Sequence, residues 1–277
     1  MSSTREGGNM LVSVGQFRPG GDAAANLAVM RDLAAEAAAG GSELIVFPEE
    51  SMFTVGRVEG SLQQAVEATW TSFVQQLSFI AAEHSIAVVA GGYEPSGEGR
   101  PFNTLVLVDG TGRIVDTYRK LHLYDAFSYQ ESTRIKPGDG GIKVARIGGL
   151  GVGLMTCYDL RFPEQARALA DAGADLICVP AAWFKGEHKI EHWETLLKAR
   201  AIENTVWVAA AGTSSGHTIG HSAVIDPMGV PQAHLEDEER GVVTVEVTRR
   251  RVDDVREFLP VLRNRRFARN ETIVDAH

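Results

Sequence analysis

Cysteine is scarce in this chain: 277 residues contain two, Cys157 and Cys178. They can form at most one internal disulfide, which excludes a disulfide-stapled scaffold and leads us to expect free thiols in a cytoplasmic setting. No apolar run approaches the roughly 18 residues that a membrane span requires. The opening MSSTREGG has no apolar centre of the signal-peptide kind, which adds to the cytoplasmic expectation. An excess of positive charge is also missing. With 27 Lys and Arg against 36 Asp and Glu, the net charge is −9, which speaks against a general nucleic-acid binder. There is no P-loop, and the glycines of GGLGVG (148–153) precede a strand-like run rather than a helix, so they make no dinucleotide fingerprint. Repeats of 20–50 residues and low-complexity linkers are absent too, so residues 1–277 are expected to form one domain.

What is present is an alternation of apolar runs and helical periodicities. With 44% hydrophobic residues the chain can bury a sizeable core. Residues 10–17 (MLVSVGQF) predict a strand and 22–39 an alanine-rich helix stopped by Gly40-Gly41. Residues 44–47 (LIVF) read as a short buried strand cut off by Pro48, 61–84 as a helix, and 87–92 (AVVAGG) as another buried strand. Runs at 104–108 and 113–118 flank the hairpin punctuation DGTG, and 143–147 and 151–156 flank Gly148-Gly149. A helix at 163–172, a strand at 176–179, a helix at 190–204 and a strand at 206–211 follow. The tail offers strands at 222–226 and 242–247 around a turn at 227–229. Such alternation predicts an α/β domain with helices covering a sheet.

Three residues carry candidate chemistry, and each has a plainer reading. Cys157, in TCYDLRFPE, stands where a strand stops and a helix opens at Pro163. Backbone N–H groups at such an edge, that of Tyr158 included, could lower the thiol pKa and receive an oxyanion; the alternative is an inert buried thiol. Cys178, in LICVP, sits mid-strand among aliphatics and reads as core. Glu49 follows Phe47-Pro48 at another strand end, where it could act as a general base, although its neighbour Glu50 allows a solvated loop pair instead. Lys120, in YRKLHLYD, could aim a partly desolvated ammonium at developing negative charge or could snorkel at the surface. All three stand at the carboxyl ends of expected strands, where α/β folds assemble their sites. A base, a cation and a thiol together can run acyl transfer through a thioester.

A rival lies in HKIEH, where His188 and His192 fit the H-x-x-E-H zinc-peptidase pattern, two imidazoles one helical turn apart. The pattern has few fixed positions, and a polar helix entrance is the plainer explanation of it. The papain run C-G-[SA]-C-[WY] is absent. A non-catalytic protein keeping only the fold is a third reading.

LIVFPEE, YRKLHLYD and CYDLRFPE occur in this order along the chain, with FNT (102–104), QES (130–132), GADLICVPAAW (173–183), HWETLLKARAIEN (192–204) and GHSAVIDPMG (220–229) as further matching runs. In these the sequence resembles the nitrilase, or carbon–nitrogen hydrolase, superfamily over nearly its whole length. The resemblance implies a four-layer αββα sandwich, with Glu49, Lys120 and Cys157 as catalytic residues, Glu131 as an auxiliary glutamate and the Tyr158 backbone N–H as oxyanion donor. It implies no cofactor and no metal, and a homodimer or higher homo-oligomer, with the tail from about 250 in dimer contacts and residues 1–9 flexible. It also assigns His192 to the HW that opens a family helix. The run after the cysteine is similar to that of the Nit-type amidases, ω-amidases and deaminated-glutathione amidases. The expected activity is therefore hydrolysis of a small linear amide, such as an ω-amide of a 2-oxo acid, with N-carbamoyl hydrolysis as the alternative and nitrile hydrolysis less favoured. The expected partner is a small-molecule amide, with no nucleic acid and no membrane.

Overall fold

The structure, a computed structural model, describes residues 8–267. The first seven residues of the amino-terminal segment expected to be flexible, and residues 268–277 of the tail assigned to dimer contacts, lie outside the described residues. The chain begins with β1 (Asn9–Phe17), α1 (Ala23–Ala39), β2 (Leu44–Val46), α2 (Leu62–His84) and β3 (Ala87–Glu94). Asp22 caps α1 by accepting the Ala24 N–H at 2.9 Å, and Ser61 caps α2 by accepting from Gln64. Each satisfies an N–H that the first helical turn leaves unpaired. Two antiparallel strands, β4 (Phe102–Val108) and β5 (Ile114–Arg119), complete this half, and a small hairpin of β6 (Asp125–Ala126) and β7 (Tyr129–Gln130) follows.

The second half repeats the plan. It contains β8 (Val144–Ile147), β9 (Leu150–Leu154), α3 (Pro163–Asp171), β10 (Leu176–Ala181), α4 (Lys189–Asn204), β11 (Trp207–Gly212), β12 (Ala223–Ile225) and β13 (Pro231–His234). Then β14 (Arg240–Thr248) returns to the first sheet and pairs antiparallel with β1 along its whole length, before α5 (Arg249–Phe258). The sheet orders are β14-β1-β2-β3-β4-β5 and β13-β12-β11-β10-β9-β8. The central strands of each, β1-β2-β3 and β9-β10-β11, run parallel.

Side-chain alternation explains why these strands read as unbroken apolar runs. Leu44 and Val46 face the other sheet, together with Val12, Val89, Val152, Leu176 and Cys178. Ile45, between them, faces Leu33 of α1 and Leu77 of α2. Likewise Ile177 and Val179 of β10 meet Leu169 of α3 and Trp193 of α4. The layers are therefore helix, sheet, sheet, helix, as the resemblance implied, and Cys178 is fully buried between the sheets.

Three elements were not anticipated. The β6–β7 hairpin is built from two-residue strands, too short for periodicity to register. In β13 three of the four residues are exposed. The ten residues of α5 (RRRVDDVREF) bury only Val252 and Val255, so charge hides the apolar stripe. The strand expected at 151–156 stops at Leu154, because Thr156 serves as the entry to a 3-10 turn over Cys157–Arg161.

Candidate functional site

The carboxyl ends of β2, β5 and β9 converge at one pocket, lined by Glu49, Lys120, Glu131, Cys157 and Tyr158 together with Glu50, Tyr93, Tyr124, Trp183 and Lys189. After β2 the chain turns through Phe47-Pro48, and the Pro48 carbonyl accepts the Gly91 N–H at 3.2 Å. Only glycine allows this approach, since a Cβ on residue 91 would lie 2.0 Å from the Glu49 carbonyl oxygen. Lys120 leaves β5 with its N–H donated to the Asn103 carbonyl at 2.8 Å. Cys157 opens the 3-10 turn at φ 46, a left-handed conformation that costs a non-glycine residue on the order of 1 kcal/mol.

A buried carboxylate holds that turn in place. Asp159, fully buried, accepts the Thr156 N–H at 2.9 Å and the Tyr118 hydroxyl at 2.5 Å through Oδ2. Its Oδ1 accepts the His122 N–H at 3.0 Å, with the His122 ring nitrogen 2.7 Å away. One side chain thus ties the segment after Lys120 to the segment that carries Cys157. The proximity of the carboxylate, after burial, pushes the Tyr118 phenol well above its ordinary range.

Lys120 Nζ lies 2.8 Å from Glu49 Oε1, and 3.2 and 2.9 Å from the two oxygens of Glu131. Glu49, Lys120 and Glu131 are 4, 2 and 7% exposed. Two carboxylates around one ammonium, out of water, persist only if the remaining lone pairs are met. They are: Asn103 Nδ2 donates to Glu49 Oε1 at 2.7 Å, the Ala182 N–H to Glu49 Oε2 at 2.8 Å and the Tyr124 N–H to Glu131 Oε2 at 2.7 Å. Burial alone pulls the Lys120 ammonium down, but Glu131, Glu49 and Cys157 together outweigh it and hold it well above its usual range. Glu131 grips Lys120 rather than Cys157, a geometry suited to orienting the ammonium.

The thiol departs from the expectation that nearby N–H groups lower its pKa. Burial, then the Glu49 charge, push the Cys157 thiol well above its ordinary value against the opposing pull of Lys120. The resting group is therefore a neutral S–H bonded to Glu49, and it needs a base at the moment of attack.

Glu50 is also at the pocket, where the notional choice between the two glutamates becomes a division. Its Oε1 accepts the Val55 N–H and the Tyr93 hydroxyl, both at 3.1 Å. Burial, then the Glu49 charge, raise its pKa from 4.5 to about 7. The folded state thus holds this proton more tightly than the unfolded chain, so stability falls as pH rises from about 4.5 through about 7. A Glu50→Gln protein should match the parent near pH 4 and exceed it by about 1–3 kcal/mol at pH 8, read from urea unfolding at both pH values. An advantage of equal size at both would mean that Glu50 ionises normally.

His188 and His192 do not line this pocket. The His188 ring, exposed at the entrance to α4, bonds Glu191, and His192 Nδ1 is 3.5 Å from Arg161 Nη2. Among the described residues no group of three or more His, Cys, Asp or Glu side chains is placed to hold a metal ion. Asn103, Glu50 and Lys189 are site residues that the residue-by-residue reading missed. The FNT run pointed at Asn103, but Lys189 was hidden inside the HKIEH pattern.

The family model for carbon-nitrogen hydrolases matches residues 11–257, and the chain belongs to that family. It is 40% identical over 259 residues to a deaminated glutathione amidase of Escherichia coli O157:H7, covering 94% of this chain and 98% of that protein. Among solved structures, a carbon-nitrogen hydrolase from Helicobacter pylori G27 superposes with a TM-score of 0.87 at 24% identity, over 94% of this chain and 96% of that one, a likeness of fold. An amidase from Nesterenkonia sp. AN1, whose active-site cysteine carries the acetamide moiety of fluoroacetamide, superposes with a TM-score of 0.78 at 29% identity, over 96 and 97% of the two chains. The chain is an enzyme of the carbon–nitrogen hydrolase class with the nitrilase fold. No helix among the described residues is long and apolar enough to cross a membrane.

Proposed function

We propose that this enzyme hydrolyses a small linear amide bearing a carboxylate, of the ω-amide or deaminated-glutathione kind, through a thioester on Cys157. The observation that carries the reading is the buried Glu49–Lys120–Glu131 cluster beside a neutral thiol. Glu49 takes the Cys157 proton as Sγ attacks the amide carbonyl. The oxyanion then forms against Lys120 Nζ and the Tyr158 N–H, fixed donors in a water-poor site. Collapse of the tetrahedral adduct breaks the C–N bond, and Glu49 returns its proton to the leaving nitrogen, ammonia from an ω-amide or an amine from a deaminated-glutathione-like substrate. Water, deprotonated by Glu49, attacks the thioester through the same oxyanion site, releasing the carboxylic acid and restoring the thiol. A name carried by a relative 40% identical supports the deaminated-glutathione class.

We further place the enzyme in the cytoplasm, where its two unpaired thiols persist. It acts as a homodimer or higher homo-oligomer, a reading supported by Phe258 and Phe267, 63 and 93% exposed near the carboxyl terminus. The direct test follows product release from purified enzyme: ammonia from ω-amides of 2-oxo acids, N-carbamoyl amino acids and nitriles, and the amine cysteinylglycine from deaminated glutathione. Turnover should be fastest on the ω-amides and deaminated glutathione. A clear preference for carbamoyl substrates or nitriles would overturn the assignment.

A further inference from the structure

The Lys189 ammonium at the pocket has no carboxylate partner among the described residues. Lys189, the first residue of α4, lines the pocket and is 6% exposed. No carboxylate of the described residues lies within salt-bridge distance of its ammonium, which donates to the Tyr124 hydroxyl at 3.0 Å. Otherwise it faces rings: it stands 3.8 Å from the Phe127 centroid, 5.2 Å from Tyr124 and 5.9 Å from Trp183. An ammonium has three donors, so the Tyr124 hydroxyl leaves two without a polar partner among the described residues. The backbone is pinned as well, because Trp183 Nε1 donates to the Lys189 carbonyl at 2.9 Å.

A second cation shares the same tryptophan. The Arg161 guanidinium lies 4.7 Å over the Trp183 ring, and its Nε is buried with no hydrogen-bond partner. Burial first, then the Arg161 charge, draw the Lys189 ammonium below its ordinary range. Ring faces reduce the cost of such a cation but do not replace its hydration. Lys189, with idle donors at the same pocket as the thiol and with Arg161 over the Trp183 ring they share, suits an anion that arrives with the substrate. Of the other cations that line the pocket, Lys120 is already held by Glu49 and Glu131, and Arg134 donates to the Val55 carbonyl at 3.4 Å.

We infer that Lys189, aimed by the Tyr124 hydroxyl and reinforced by Arg161, forms the anion subsite that receives the substrate's distal carboxylate and so selects carboxylate-bearing amides over uncharged ones. This rests on the amide-hydrolysis reading proposed above. Lys189 touches no reacting bond in this account. Its work is in binding and in placing the amide over Cys157, with the rings of Tyr124, Tyr158 and Phe184, which pack on one another, as an apolar wall for the intervening methylenes.

The test compares monoamides of succinic and glutaric acid with butyramide, an uncharged amide. In Lys189→Met, which keeps the apolar stem, the ratio of kcat/KM for the anionic amides to that for butyramide should fall at least tenfold, mainly through KM. Lys189→Arg should recover part of the ratio, and Tyr124→Phe should shift it the same way by a smaller factor. An unchanged ratio in Lys189→Met would overturn the inference and leave Lys189 a packing or thiolate-supporting group. A binding arm separates this failure from failure of the hydrolysis reading. Glutarate should raise the Tm of Cys157→Ala protein, and Lys189→Met in that background should abolish the rise. Parent enzyme that hydrolyses no amide would sink the hydrolysis reading, while a glutarate shift lost with Lys189 would still uphold the anion subsite. A glutarate shift that survives Lys189→Met would overturn the subsite whatever the kinetics.

Discussion

Cys157→Ala should lose turnover by a factor on the order of 10⁴–10⁶ while keeping its fold, the scale seen when a covalent nucleophile is removed from a site that otherwise stays intact. The fold should survive because the position asks little of sulfur as a packing atom. Cys157 is at the pocket wall, 8% exposed, and alanine meets the same left-handed φ of 46 with the same Cβ. The turn is held by Asp159 through the Thr156 N–H and does not depend on the thiol. Deleting one sulfur atom at the edge of a pocket leaves no sealed cavity, so stability should change by no more than about 1 kcal/mol. Steady-state ammonia release and thermal unfolding of the same preparation check both halves. Residual activity within tenfold of the parent would show that the carbonyl is attacked by water directly and remove the thioester from the scheme. The neutral resting thiol adds a corollary. Alkylation by iodoacetamide should be slow at pH 7 without a bound ligand and should accelerate as pH rises, because burial and Glu49 hold the proton on sulfur.

The parts of this site that were legible in the sequence are those fixed by strand ends. Glu49 and Cys157 each follow an apolar run cut short by proline or polar residues, and Lys120 follows a mixed strand-like run, IVDTYR; strand ends of that kind come together in α/β sheets. Which of two adjacent glutamates mattered was not readable from pattern. The resemblance chose Glu49, and the structure gives both a place at the pocket, with different partners. The stacking of two sheets came from the resemblance as well, since local periodicity fixes only that a strand is buried on both faces, not what covers each. Lys189 was out of reach because its meaning depends on contacts with Tyr124, 65 positions earlier, and with the rings of Phe127 and Trp183. In sequence it is merely one basic residue between two histidines. The direction of the thiol's pKa was misjudged for a related reason. Backbone donors at a strand end are visible in a motif, whereas burial and a facing carboxylate appear only once the chain is folded.

Lys120→Met is the change that should damage both stability and chemistry. The ammonium is the one positive group held between Glu49 and Glu131, at 2.8 and 2.9 Å. Methionine fills the volume of the stem but leaves two buried carboxylates facing each other, which costs about 3–5 kcal/mol when one partner of a buried ionic set is removed. Tm should fall by on the order of 10 °C. Turnover should fall at least about 10³-fold, because the oxyanion loses a charged donor and Glu49 loses the partner that fixes its orientation. The pH dependence gives the sign. In the variant, repulsion makes one carboxylate take up a proton on folding, so the folded state binds more protons than the unfolded chain and stability is lost as pH rises. The deficit against the parent should therefore be largest above pH 7 and shrink toward pH 4.5. Adding Glu131→Gln to Lys120→Met removes the repulsion while the amide oxygen can still accept the Tyr124 N–H. The double variant should regain most of the lost Tm and none of the lost turnover. A single variant with near-normal ammonia release would take Lys120 out of the mechanism. A Tm deficit indifferent to pH would show that packing around the stem, rather than charge, is what Lys120 contributes to the fold.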